Sequence, residues 1–459
     1  KSTKAGAFSF FVFTAARNKF QPCSKKKAEP LFSFFLVGMT GFEPATPRTP
    51  CVCATRLRHI PKFGLQIYPF YFLYKQNLVS FEKEFAMKNL SIFFSIPIIA
   101  ISCQNPNNKT EIALKEPAAR GYSIEKVVDN LNNPWGMDWL PDGSLLITEK
   151  KGEIMLFRND IKTKVSNVPE VYLRGQGGLM DLKLHPNYSE NGWIYITYSS
   201  KEGSGEGGNT KLIRTKLKNN ALTEIQSLYK AEPNSTTGLH FGSRIAFDNE
   251  GYLYFSIGER GNRDENPQDI TRDCGKIYRL LDDGRIPPDN PFVNQPNAKK
   301  AIYSYGHRNP QGLAKHPITG TIWEHEHGPK GGDEINIIEK GKNYGWPVIT
   351  YGVNYSGTPI TSETSHPGME QPIHYWVPSI APCGMAFITG NQFPDWKGDL
   401  LVGSLKFNYV ELLHLKGNKV IGREKIAEDI GRVRNVKMGP DGFIYVAVEG
   451  RGIFRLVPK

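Results

Sequence analysis

Trp135-Gly136-Met137-Asp138-Trp139-Leu140-Pro141-Asp142-Gly143-Ser144-Leu145-Leu146-Ile147 carries the pattern that decides the fold. A short apolar stretch runs into a Pro-Asp-Gly turn, and a β-rich strand follows. The phrase recurs along the chain. Leu179 to Pro186 leads into Gly192-Trp193-Ile194-Tyr195-Ile196, and Arg244 to Asp248 into Gly251-Tyr252-Leu253-Tyr254-Phe255. Gly312 to Pro317 precedes Gly320-Thr321-Ile322-Trp323, and Gly384 to Phe387 precedes Gly398 to Val402. The sixth copy is Val433 to Gly442, then Phe443-Ile444-Tyr445-Val446. Six copies in roughly 340 residues leave more than fifty residues each, enough for four short strands with loops. Long helical periodicities are absent. A radial array buries both faces of each sheet and leaves only short edges. The chain is therefore expected to be all-β, a six-bladed β-propeller over residues 122–459. Its first strand, Ser123 to Val128, is expected to complete the last blade at Gly452 to Val457 and close the ring. A single β-sandwich has little room for about two dozen strands.

The formal charge of +12 invites a nucleic-acid reading, but its location argues against one. Residues 1–86 hold 13 Lys/Arg and 4 Asp/Glu, leaving 44 basic and 41 acidic residues in the remainder. The main body is nearly neutral, so no nucleic-acid partner is expected. Residues 1–86 alternate aromatic clusters with Lys, Arg and Pro without a stable period. Met39 to Thr46 resembles translation through the T-arm of a transfer-RNA gene on the antisense strand. The prefix is read as non-native upstream translation, with a disordered extension as the alternative. Met87 and Lys88 then open a leader whose apolar run, Leu90 to Ile101, has the length of a secretory signal. Ala100-Ile101-Ser102-Cys103 resembles a lipoprotein cleavage site. Residues 87–103 are thus expected to be a signal peptide and 104–121 a flexible tether. The expected compartment is periplasmic or otherwise extracytoplasmic. Membrane contact would come only through a lipid anchor at Cys103, and simple secretion is the other reading. Of six cysteines, only Cys274 and Cys383 fall in the main body, and sequence leaves their pairing open.

Residues 306–347 concentrate what core packing does not require: Arg308, four histidines, a Gly-Pro turn, an Asp-Glu pair and Tyr344-Gly345-Trp346-Pro347. Short strands are separated there by charged, Gly-rich loops, the usual carriers of binding and chemistry. His325-Glu326-His327 tempts a metal reading, since alternate strand residues share a face. No third ligand at matching spacing is identifiable, and a pocket wall is favoured over a zinc site.

Several segments together resemble the soluble pyrroloquinoline-quinone (PQQ)-dependent glucose and aldose sugar dehydrogenases. They are Gly175 to Leu179, His240-Phe241-Gly242-Ser243-Arg244, Gly306 to Ala314, Gly328-Pro329, Asp333-Glu334, Asn343 to Pro347 and Arg432-Val433-Arg434. The resemblance implies oxidation of an aldose at C1 to a lactone, with electrons passed to an external acceptor. It makes His240 the general base, an imidazole that titrates near working pH. Arg308 and Asn309 would stabilise charge on the quinone oxygen, and Gln176 would hold the substrate. Lys406, Arg432 and Arg434 match positions that hold the cofactor's carboxylates, and alternation puts Arg432 and Arg434 on one face. Calcium (Ca2+) is implied as Lewis acid on the carbonyls of Gly328 and Pro329. A second, structural calcium is implied at Glu334 and the carbonyl of Tyr344. The sequence departs from the glucose-oxidising branch at three positions. Leu239 stands where an Asp precedes the catalytic His, and His374 and Val377 stand where a Tyr and a Trp cover the substrate. The broader aldose branch is favoured. A calcium-dependent lactonase-type propeller and a non-catalytic binding propeller remain the alternatives. A lactonase has no use for Lys406, Arg432 and Arg434, and a binding propeller should have lost the pair His240 and Arg308.

Overall fold

The computed structural model describes residues 121–459. The expectations placed on residues 1–86, on the leader with Cys103 and on nearly all of the tether lie outside the described residues.

The described chain forms 24 strands and almost no helix. Strand β1 (Tyr122–Asp129) comes first, then β2–β5 (Pro134–Trp139, Leu145–Glu149, Glu153–Arg158, Ile161–Lys164). The second group is β6 (Leu179–Leu184), the one-turn helix α1 (Tyr188–Asn191), and β7–β9 (Ile194–Ser200, Asn209–Lys218, Ala221–Lys230). Next come β10–β13 (Ile245–Phe247, Leu253–Ile257, Lys276–Leu280, Ile302–Tyr305) and β14–β17 (Pro310–Lys315, Ile322–Glu326, Asp333–Ile337, His374–Trp376). The chain ends with β18–β21 (Pro382–Phe387, Leu400–Ser404, Val410–Lys416, Lys419–Ile426) and β22–β24 (Val433–Met438, Ile444–Val448, Gly452–Pro458). They pair as six antiparallel four-stranded sheets, each a run of chain neighbours except the last, ordered β1-β24-β23-β22. The expected closure is present, with Ser123 opposite Val457 and Ile124 opposite Leu456. The architecture is a six-bladed β-propeller, and each sequence repeat supplies the first two strands of a blade.

Burial grades outward along each blade. The second strands β3, β7, β11, β15, β19 and β23 are buried at every position. Both faces of such a strand are covered by neighbouring blades, so no solvent-facing alternation is seen; β11 and β23 run almost wholly apolar, while β15 buries Glu324, His325 and Glu326. The third strand β4 (Glu-Ile-Met-Leu-Phe-Arg) alternates, and the outermost β5 has no buried residue. Between blades lie separate apolar clusters, such as Ile194, Ile196 and Leu146 in one and Trp323, Trp376 and Phe387 in another.

The axis is held by one side chain. Arg244, just before β10, stacks over Trp135 at 4.0 Å. Its Nε donates to the Gln311 carbonyl at 2.8 Å, and its two amino nitrogens reach the Trp135 carbonyl, Asp181, the Cys383 sulfur and the Arg434 carbonyl. From the third blade, one guanidinium thus touches the other five. Cys274 and Cys383 are both free and buried, so they do not pair.

Candidate active site

Topology places the candidate residues at one mouth of the ring. Gln176, His240, Arg308-Asn309 and Arg432 lie just before the inner strands β6, β10, β14 and β22. Glu259, Gly328-Pro329, Lys406 and Glu449 lie just after the second strands β11, β15, β19 and β23. Inner and second strands are antiparallel, so the starts of the former and the ends of the latter share one rim. In five of the six blades the register shifts near the start of the inner strand, for example between Pro310 and Gly312 and between Val433 and Asn435. Such bulges re-aim side chains beside sites.

His240 is 9% exposed and holds a left-handed φ of 49°, an uncommon conformation for a residue with a Cβ. Its backbone N–H donates to Gln176 Oε1 at 2.9 Å. Its Nδ1 lies 2.5 Å from Glu259 Oε1. Burial, then the Arg308 charge, hold the imidazole below its ordinary range, against the pull of Glu259. The Glu259 carboxyl stays below its usual range: burial raises it, but His240 and Arg308 outweigh that. The pair is therefore a neutral imidazole beside a carboxylate. The carboxylate accepts the Nδ1 proton, which leaves Nε2 as the basic nitrogen. At Gly258 the backbone passes so close that a Cβ would lie 2.5 Å from the His240 carbonyl and 2.7 Å from Asn309 Oδ1. Only glycine permits that approach.

Arg308 and Asn309 are buried, and both backbone amides donate to Glu326 Oε2. The Arg308 guanidinium donates to the His327 carbonyl at 3.0 Å and lies 5.3 Å from the Trp346 ring. Asn309 Oδ1 accepts from the Gly242 amide at 3.1 Å, so Nδ2 is the end its side chain has left to offer. The Glu259 amide donates to the Arg308 carbonyl at 2.8 Å. Gln176, His240, Arg308 and Asn309 thus form one linked group.

Contacts continue around the rim. Asp333 accepts the amides of Gly328 through Oδ1 and of Ile380 and Ala381 through Oδ2, at 2.8 to 3.0 Å. Burial raises its carboxyl to about 6. The Lys406 amide donates to the Ile380 carbonyl at 3.2 Å. Its exposed side chain forms no ion pair among the described residues, and its Nζ lies 4.8 Å from the Phe407 ring. Arg432 and Arg434 share a side, as alternation requires: both donate to Glu449, Arg432 to Oε2 at 2.9 Å and Arg434 through Nε to Oε1 at 2.8 Å. Arg432 is 51% exposed at its side chain, and Arg434 is 15% exposed.

The residues suit the implied groups. Lys406 and the outer face of Arg432 are cations available to carboxylates. The buried carbonyls of Gly328 and Pro329 accept no hydrogen bond among the described residues, which suits a hard cation. Glu334 lies opposite Glu326 in the sheet, while the Tyr344 hydroxyl is bound to the Ile337 carbonyl and the Glu339 amide. His325 and His327 donate from Nε2 to the carbonyls of Gly384 and Pro382, at 3.2 and 2.6 Å. Burial keeps both well below the ordinary histidine range. Both ring nitrogens that face the neighbouring blade are thus spent on backbone carbonyls. His374 is buried edge-on to Trp376 instead of standing over the mouth.

Sequence reading passed over Glu259 and Glu449, and it named Glu326, Asp333 and Arg244 only as members of motifs, without their partners. Glu259 ends a strand in Gly258-Glu259-Arg260-Gly261, a visible carboxylate whose partner is not visible.

The fold and site define a propeller with a basic, hydrogen-bonding mouth built around a histidine–carboxylate pair. Residues 131–455 match the model of the Glucose / Sorbosone dehydrogenase family. The chain belongs to that family of oxidoreductases. It is 39% identical over 365 residues to the aldose sugar dehydrogenase YliI of Escherichia coli, covering 78% of this chain and 95% of that protein. The solved apo form of the soluble aldose sugar dehydrogenase from Escherichia coli superposes with a TM-score of 0.70 at 38% identity, over 74% of this chain and all of that one. A PQQ-bound aldose sugar dehydrogenase from Streptomyces coelicolor superposes with a TM-score of 0.62 at 26% identity, over 74% and 99%.

Proposed function

We propose that the chain is a PQQ-dependent aldose dehydrogenase that oxidises C1 of a sugar to a lactone and passes the electrons to an external acceptor. When bound, the quinone supplies the oxidant that takes the hydride equivalent. The observation that carries the reading is the Glu259–His240 pair. With Nδ1 held by the carboxylate, Nε2 takes the C1 hydroxyl proton, and Glu259 stabilises the imidazolium that results. Gln176 fixes the His240 backbone and borders the substrate position. Arg308 and the Nδ2 end of Asn309 donate toward oxygen charge that develops in the reaction. Lys406, Arg432 and Arg434 hold the cofactor's carboxylates, with Glu449 fixing the two guanidinia. Calcium is held at the Gly328 and Pro329 carbonyls, and a structural calcium at Glu334 and the Tyr344 carbonyl. The protein works outside the cytoplasm. Among the described residues no helix is long and apolar enough to cross a membrane, and a lipid at Cys103 is the proposed membrane link.

Lys406, which forms no ion pair among the described residues, and the exposed outer side of Arg432 favour this over the lactonase reading, and the retained His240 and Arg308 favour it over a binding propeller. The test is reconstitution of the purified chain with PQQ and calcium, followed by dye reduction with a panel of aldoses. Turnover that needs both additions and disappears in His240→Ala is the expected result. Failure to bind the quinone, or full turnover in His240→Ala, overturns it.

A further inference from the structure

The pairing of β15 with β16 sets Glu324 opposite Asn336 and Glu326 opposite Glu334. Opposed residues share a sheet face, and alternation adds Glu324 to the face of Glu326. That face therefore carries three carboxylates and an amide. Ligand atoms of Glu324, Glu326 and His307 all lie within 4.8 Å of one another, and the three residues are buried. No Lys or Arg forms an ion pair with Glu324 or Glu326 among the described residues. Both His307 nitrogens are already engaged, Nδ1 with Glu326 Oε1 at 3.1 Å and Nε2 with the Ser304 hydroxyl at 2.9 Å. Two buried acceptors remain without a donor: Glu324 Oε1 and Asn336 Oδ1. Asn336 Nδ2 already donates to Glu324 Oε2 at 3.2 Å, so no further donor comes from that amide. Acceptors shut away from water without partners are rare in native folds and call for an occupant.

We propose that this cluster holds a hard divalent cation of the calcium class, with Glu324, Glu326 and Asn336 as oxygen donors and His307 closing one side. Oxygen donors without thiolate, and with the histidine nitrogens occupied, select such an ion. The position borders the Glu334–Tyr344 pair, with Glu334 facing Glu326 across the strands and the Tyr344 ring stacked on His307 at 4.6 Å, but it draws on different side chains. It also has a structural consequence. Glu326 uses its other oxygen to hold the amides of Arg308 and Asn309, so the ion stiffens the turn that presents them.

The competing occupant is a proton. Burial and the charges of Glu326 and Glu334 drive the Glu324 carboxyl well above its usual range. Glu324→Gln separates the two, because glutamine mimics the protonated acid but not the ligand. The purified chain is saturated with calcium chloride, desalted and analysed for metal content. Melting is then followed with and without chelator, with magnesium and manganese as parallel additions. The wild type is expected to retain one more equivalent per chain than Glu324→Gln, and chelator is expected to lower its melting temperature several degrees further. Glu334→Gln is expected to lose the ion proposed at Glu334 and Tyr344, so the variant carrying both Glu324→Gln and Glu334→Gln is expected to lose two equivalents; loss of only one in that double variant would merge the two positions and overturn a separate ion. Equal metal content and equal chelator response in wild type and Glu324→Gln overturn the proposal in favour of the proton. If Glu324→Gln does not fold, Asn336→Leu replaces it, with the same loss expected and retention refuting.

Discussion

Replacing Glu259 with glutamine keeps the shape of the His240 pair and removes its charge. In the resting site the 2.5 Å contact is a hydrogen bond to an ionised group, about 1.5–3 kcal/mol for such bonds. Its larger contribution comes as Nε2 takes a proton and the ring becomes cationic. At an effective dielectric near 20, two unit charges about 4 Å apart attract by roughly 4 kcal/mol. Glutamine retains a neutral hydrogen bond, so the expected loss is about 2–4 kcal/mol of transition-state stabilisation. That is roughly a 30- to 1,000-fold fall in kcat. The pH profile gives an independent sign. His240 must be neutral to act as base, and its pKa already lies below 6.5 through burial and Arg308. Activity is therefore present above that pKa and lost as pH falls through it. Glu259 is the group that raises this pKa, so its removal moves the acid limb to still lower pH. The assay is steady-state dye reduction by the reconstituted enzyme between about pH 4 and 8. A kcat within about threefold of the parent, with the acid limb unmoved, would refute the role of Glu259 and with it the assignment of Nε2 as the base.

Three further outcomes are expected. Arg244→Leu breaks the contact that joins all six blades and strips a buried partner from Asp181; a cost of about 3–5 kcal/mol should lower the calorimetric melting temperature by roughly 4–7 °C, and a shift under 2 °C would show the hub to be dispensable. Lys406→Ala should leave melting unchanged, since the side chain is exposed, while affinity for the quinone falls about 5- to 30-fold, roughly 1–2 kcal/mol for a charge-assisted bond weakened by solvent screening at an exposed site; fluorescence titration checks it. Gly258→Ala places a methyl group against the His240 carbonyl and Asn309 Oδ1. A displacement near 1 Å should cost about 100-fold in kcat, and unchanged kcat would mean that the loop yields without moving the base.

The propeller was legible because its signal is local. Turn chemistry at Pro141-Asp142-Gly143 and strand runs such as Leu145 to Ile147 depend on a few neighbouring residues, and backbone sterics repeat that logic six times. Even closure was readable, since Ser123 to Val128 is a strand without a neighbour in sequence. The phrase Gly306 to Leu313 pointed to the proposed site by its resemblance to a family, a signal of a different kind. What sequence could not reveal is which side chains meet across the ring. Glu259 finds His240 across 19 residues, while Arg244 finds its partners across 63 to 190. Glu326 looked like the middle of a His-Glu-His zinc motif, yet neither flanking histidine joins it, and its carboxylate braces the amides of Arg308 and Asn309. Strand periodicity is fixed by the chain's own geometry, but convergence on the axis exists only once six sheets have closed into a circle. The repeats thus determined the architecture, and ring closure alone decided which charges came to share the buried centre.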